Sequence, residues 1–168
     1  ILSILLIANC LFLTSCVAIQ SISTIGSVIS VSNDRRSAGE ILDDKTIALR
    51  LFTWSSEDST LSDAHLNFMV YNKTALITGE VLTPEIRVYT SKQAQLQVPQ
   101  ISQIFNEIKL GSSSGLLNRA KDSTITIRVE LLFQNQEVFH PTHVRVMTED
   151  QVVYLMGAVT KREADMAA

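Results

Sequence analysis

Asp44-Lys45-Thr46-Ile47-Ala48-Leu49-Arg50 returns 78 residues later as Asp122-Ser123-Thr124-Ile125-Thr126-Ile127-Arg128, with the acid, the threonine, the isoleucine and the arginine in place. The same offset carries His65, Met69, Gly79, Val81 and Glu85 onto His143, Met147, Gly157, Val159 and Glu163. One spacing held across a helix-like stretch, a hairpin-like stretch and a glycine predicts a duplicated unit. It is too long for a solenoid repeat and about the size of the smallest domains that fold alone. The first copy reads as residues 43–111, a linker as 112–118 and the second copy as 119–168. The offset places the end of the second copy about 20 residues beyond Ala168. The chain also opens at Ile1, without a methionine or a basic start, so it reads as a fragment.

Within the first copy, Ile47, Leu51 and Trp54 mark one face of a helix from Asp44, with Asp43 and Asp44 suited to the positive end of its dipole. Leu66, Phe68 and Val70 alternate with Asn67, Met69 and Tyr71, and Ala75 and Ile77 resume the alternation after Asn72-Lys73, which predicts a hairpin. Thr83-Pro84-Glu85 starts a second helix, Pro99 follows it, and Ile104 to Leu110 fits a last strand. The predicted order is helix, strand, strand, helix, strand. In the second copy Ile125, Ile127, Val129 and Leu131 alternate as a strand would, whereas Ile125, Val129, Leu132 and Phe133 share a helical face. The repeat decides for a helix over Asp122 to Phe133. Gly79 and Gly157 read as structural glycines after each hairpin.

Location is written at the other end. Residues 1–13 are apolar and uncharged but too few to span a bilayer as a helix, which takes about 20 residues. Together with Leu13-Thr14-Ser15-Cys16 they read as a signal peptide, residues 1–15, ending in a lipobox, with Cys16 lipidated. Residues 16–42 then form the lipidated N-terminus and tether. Val17 after the cysteine favours the outer membrane, and two or three acyl chains give stable anchoring where one is marginal. Cys10 leaves with the signal, so no disulfide forms within the mature chain.

Fourteen basic against seventeen acidic residues give a net charge of −3, which argues against broad attraction to nucleic acid or to an anionic membrane, so any lipid preference must come from a local patch plus apolar insertion. No nucleophile elbow, phosphate-cradling loop or zinc-protease stretch occurs, so no catalytic residue and no cofactor are expected. His65 recurs as His143, and His140-Pro141-Thr142-His143 pairs two histidines, but neither shows a third ligand in sequence. No metal is expected.

Arg35-Arg36-Ser37-Ala38-Gly39, Phe105-Asn106-Glu107-Ile108 with Gly111, Ile125-Thr126, and above all the run Val146-Met147-Thr148-Glu149-Asp150-Gln151-Val152-Val153-Tyr154-Leu155-Met156-Gly157-Ala158-Val159-Thr160-Lys161-Arg162-Glu163-Ala164 resemble the BON domain. The arrangement, two copies behind a lipobox, is similar to the dual-BON outer-membrane lipoproteins. That resemblance implies an α+β fold of two tandem BON domains, each with helices packed on a small mixed sheet, the second truncated. It also implies a non-enzymatic lipoprotein facing the periplasm and supporting envelope integrity. Its second domain would bind anionic phospholipids such as phosphatidylglycerol or cardiolipin. The implied contacts are Ile125, Val129, Leu132 and Phe133 at the headgroup boundary, Phe133 the most exposed, with Arg119, Lys121 and Arg128 meeting phosphate. The alternative is a periplasmic scaffold for the outer-membrane protein assembly machinery.

Overall fold

The computed structural model describes residues 33–168. The expected signal peptide, Cys16 and most of the expected tether lie outside the described residues. The elements run α1 (Ala38–Glu57), β1 (His65–Tyr71), β2 (Thr74–Val81), α2 (Pro84–Gln97), β3 (Gln103–Leu110), α3 (Leu116–Gln134), β4 (Val144–Glu149), β5 (Val152–Gly157) and α4 (Lys161–Ala167). Short 3-10 turns at Ser59–Leu61 and Pro141–His143 lead into the two hairpins. The chain is therefore α+β. Its first half has the expected order of helix, strand, strand, helix, strand.

Both long helices begin earlier than the sequence reading places them. Ser37 accepts from the Glu40 N–H while the Glu40 carboxylate accepts from the Ser37 N–H, a reciprocal cap that moves the start of α1 to Ala38. Helix α3 starts at Leu116, behind Gly115, so the last part of the expected linker is helical.

Displaced from the first turn, Asp44 has another task. Its carboxylate accepts the backbone N–H groups of Asn72 at 2.7 Å and Lys73 at 2.8 Å, the two tip residues of the first hairpin. Asp122 does the same for Asp150 at 3.0 Å and Gln151 at 2.9 Å in the second. All four tip residues have positive φ, between 47° and 63°. Such a two-residue turn matches strand twist, but each non-glycine residue there costs about 1–2 kcal/mol. A buried carboxylate taking both N–H groups offsets that cost. The 78-residue offset is thus repeated in hydrogen bonds as well as in letters.

Gly79 and Gly157 follow the same logic. Gly79 has φ +114°, and a Cβ on it would strike the carbonyl oxygen of His65; a Cβ on Gly157 would strike that of His143. Each glycine stands opposite the residue after its histidine, Leu66 or Val144, so the strand mouth closes only without a side chain.

Strand β2 is central, antiparallel to β1 and parallel to β3. Ala75, Ile77 and Val81 on one face join Ile47 and Leu51 of α1, Ala94 of α2, Val98 and Ile108 in the main core. Leu76, Thr78 and Glu80 on the other face are buried as well, along with Met69 and Tyr71 of β1. The second half supplies much of that cover: Met147 of β4 lies against Thr78, and Glu149 meets Asn67. Strands β4 and β5 form a separate two-stranded antiparallel sheet over a smaller cluster of Phe133, Phe139 and Val144.

Polar contacts also tie the halves. Arg35 reaches Glu163 through two guanidinium nitrogens, at 2.6 and 2.9 Å, and donates to the Ala158 carbonyl at 2.7 Å. Its neighbour Arg36 turns the other way, to Asp44 at 2.7 Å and over the Tyr71 ring at 4.1 Å.

Candidate functional site

Helix α3 carries the residues singled out from sequence, and the structure separates them by side. Phe133 is 5% exposed, edge-on to Phe139 with ring centroids 5.2 Å apart. The expectation that it is the most exposed of the set is corrected. The helix needs an aromatic where it closes over β4, and Phe133 supplies it. Val129 packs on the same cluster and Ile125 is half-buried, while the neighbouring Thr126 hydroxyl donates to Thr148 of β4 at 2.8 Å. Arg119 is half-buried and spends its guanidinium on the Ser114 carbonyl at 3.0 Å and the Ser113 hydroxyl at 2.8 Å, fixing the segment ahead of the helix. The apolar face recognised in sequence is thus mostly the face that holds α3 to its sheet.

Lys121, Arg128 and Leu132 are exposed, Leu132 at 64%. Beside them lies a row that sequence reasoning missed. Leu116 and Leu117 are each 81% exposed, Ile127 56% and Leu131 53%. At helical spacing these form two adjacent stripes, Leu116, Ala120, Ile127 and Leu131 in one, Leu117, Lys121, Arg128 and Leu132 in the other. The signal was present: Ile127 and Leu131 are the alternating residues that the helical face of Ile125, Val129, Leu132 and Phe133 leaves out.

Exposed apolar residues also occur on α1, at Leu42, Leu49 and Phe52, and on α2, at Val88 and Leu96, so exposure alone does not distinguish α3. Charge separates α3 from α1, though not from α2, which carries two basic residues against one acidic. Helix α1 carries two basic against four acidic residues, whereas α3 carries three basic against two acidic, one of which, Asp122, is buried under the hairpin tip. No helix among the described residues is long and apolar enough to cross a membrane.

Beneath α3 runs a cleft of about 400 Å³ between the halves, walled by His65 and Asn67 of β1, Arg119, Asp122 and Thr126 of α3, and Thr148 and Glu149 of β4. Burial pushes the Glu149 carboxyl above its ordinary range, with the charges of Glu80 and Asp122 adding to the shift and the Asn67 hydrogen bond and His65 opposing it. His140 and His143 lie elsewhere, ring centroids 5.8 Å apart, and among the described residues no acidic side chain completes a ligand set with them.

Comparison with known proteins agrees with the fold. Residues 121–168 match the BON domain. The chain is 33% identical over 137 residues to the 21 kDa hemolysin of Actinobacillus pleuropneumoniae, spanning 80% of this chain and 70% of that protein. It is 28% identical over 166 residues to the outer membrane lipoprotein DolP of Haemophilus influenzae, spanning 98% of this chain and 84% of that one.

Proposed function

Because the chain belongs to the BON-domain family, we propose that it is a non-enzymatic outer-membrane lipoprotein of two tandem BON units, anchored through Cys16 and facing the periplasm. In this reading the second unit engages anionic phospholipid and so supports envelope integrity. The likeness to an outer membrane lipoprotein over nearly the whole chain supports the location. The observation that carries the lipid contact is the exposed side of α3, where an apolar stripe runs beside Lys121 and Arg128.

Magnitudes assign the roles. A basic residue near an anionic leaflet contributes about 1 kcal/mol, so Lys121 and Arg128 together select the lipid charge but bind weakly. Burying a leucine or isoleucine side chain contributes about 1.5–3 kcal/mol. Inserting Leu116, Ile127 and Leu131 therefore supplies most of the affinity, and the acyl anchor removes the cost of finding the surface. Leu132 belongs to this contact; Ile125, Val129, Phe133 and Arg119 support it from beneath.

Sedimentation with phosphatidylglycerol or cardiolipin vesicles, against zwitterionic ones, tests the assignment on a chain carrying a soluble start in place of the lipid. Binding is expected to prefer anionic vesicles. Lys121→Glu with Arg128→Glu should abolish the preference, and Ile127→Glu with Leu131→Glu should lower binding tenfold or more. Equal binding to both vesicle types would sink the lipid reading in favour of a scaffold for outer-membrane protein assembly.

A further inference from the structure

We infer that His65, Glu80 and Glu149 form a binding site for a divalent metal ion of the zinc class, which joins the two halves of the chain. His65 and Glu80 face each other as a cross-strand pair at the mouth of the first hairpin, and Glu149 arrives from the end of β4. One ligand atom from each lies within 4.8 Å of the others, with His65 Nε2 3.8 Å from a Glu149 oxygen. Zinc holds nitrogen and oxygen ligands at about 2.0–2.2 Å, which sets them roughly 3.5 Å apart in a tetrahedron.

Charge supplies the second argument. Glu80 is 8% exposed and Glu149 4%, yet among the described residues no lysine or arginine nitrogen pairs with either carboxylate. Elsewhere in the same molecule buried acids are compensated, Asp44 by Arg36 and two N–H groups, Asp122 by two N–H groups. Glu80 has a single backbone N–H, that of Ser114 at 3.2 Å. Two buried carboxylates with no lysine or arginine to meet them are short of positive charge, which one dication supplies.

Asn67 supplies the third. Its amide nitrogen lies 3.2 Å from His65 Nε2 and also donates to Glu149. A carboxylate neighbour demands the NH₂ end of the amide, so His65 Nε2 faces a donor and carries a lone pair there, which a bound ion would take in place of the Asn67 N–H. One imidazole and two carboxylates suit zinc. His65, Asn67 and Glu149 also border the solvent-open cleft, which gives the ion an entrance and a water its fourth position.

The test is equilibrium dialysis of the chelator-stripped full chain against zinc, with bound metal counted by emission spectroscopy and melting followed with and without zinc. About one zinc per chain is expected, together with a higher melting temperature. His65→Ala and Glu149→Gln should each weaken binding tenfold or more and remove the thermal shift, while His140→Ala leaves both unchanged. Melts in chelator report whether each variant folds, and Glu80→Gln replaces any that does not. Failure to retain zinc, zinc binding undiminished in folded Glu149→Gln, or loss of binding in His140→Ala would each overturn the site. A Glu149→Gln chain that is simply more stable, in protein that binds no zinc, would identify a shared proton in the ion's place. None of these readouts involves vesicles, so the outcome is independent of the lipid assignment.

Discussion

At the scale of single residues, two aspartates 78 positions apart do the same task. Asp122→Ala removes two charge-assisted hydrogen bonds from a turn whose residues hold an unfavourable conformation. A destabilisation of about 2–3 kcal/mol is expected, read as a lower urea midpoint. Asp44→Ala should cost more, because it also strips the buried Arg36 guanidinium of a partner. The glycines were legible in the sequence as structural, since a recurring glycine after a strand points to a close approach. The work of the aspartates was not. Helix-dipole reasoning looks at neighbouring residues, whereas the groups that Asp44 and Asp122 satisfy lie 28 residues further along the chain.

At the scale of the element, α3 is a helix with two apolar sides. Its inner side meets Phe139 and Val144, its outer side meets solvent, and the periodicity of a single sequence cannot say which is which. Sequence reasoning found the helix through the repeat and chose the wrong side for Phe133. The order of elements along the first half, by contrast, was legible, because alternation, turn residues and Pro84 each have one local interpretation. The two sides respond differently to substitution. Phe133→Ala is expected to cost about 3–5 kcal/mol, measured by denaturant titration. Leu131→Glu should move stability by no more than about 0.5 kcal/mol, so its effect on vesicle binding can be read without a folding correction.

At the scale of the whole molecule, the halves are joined by scattered polar contacts, among them the Arg35 to Glu163 pair. The guanidinium, with the Thr160 N–H, lowers the Glu163 carboxyl from an ordinary value near 4.5 to about 2. A depressed acid contributes stability above its unfolded value and loses it as pH falls through the folded one. The contribution is therefore complete above about pH 4.5 and gone near pH 2. Melting temperatures of the native chain and Glu163→Gln should differ most at neutral pH, with the gap closing across that window. Such contacts were invisible in sequence, since Arg35 and Glu163 are 128 residues apart and neither belongs to a periodic face.

The two adjacent arginines also decide how the chain bears load. Arg35 grips the far half and Arg36 the near half, one peptide bond apart. A tug from the N-terminal side is therefore divided between both halves at once, like a rope tied off on two cleats, and neither half has to peel away before the other feels the strain.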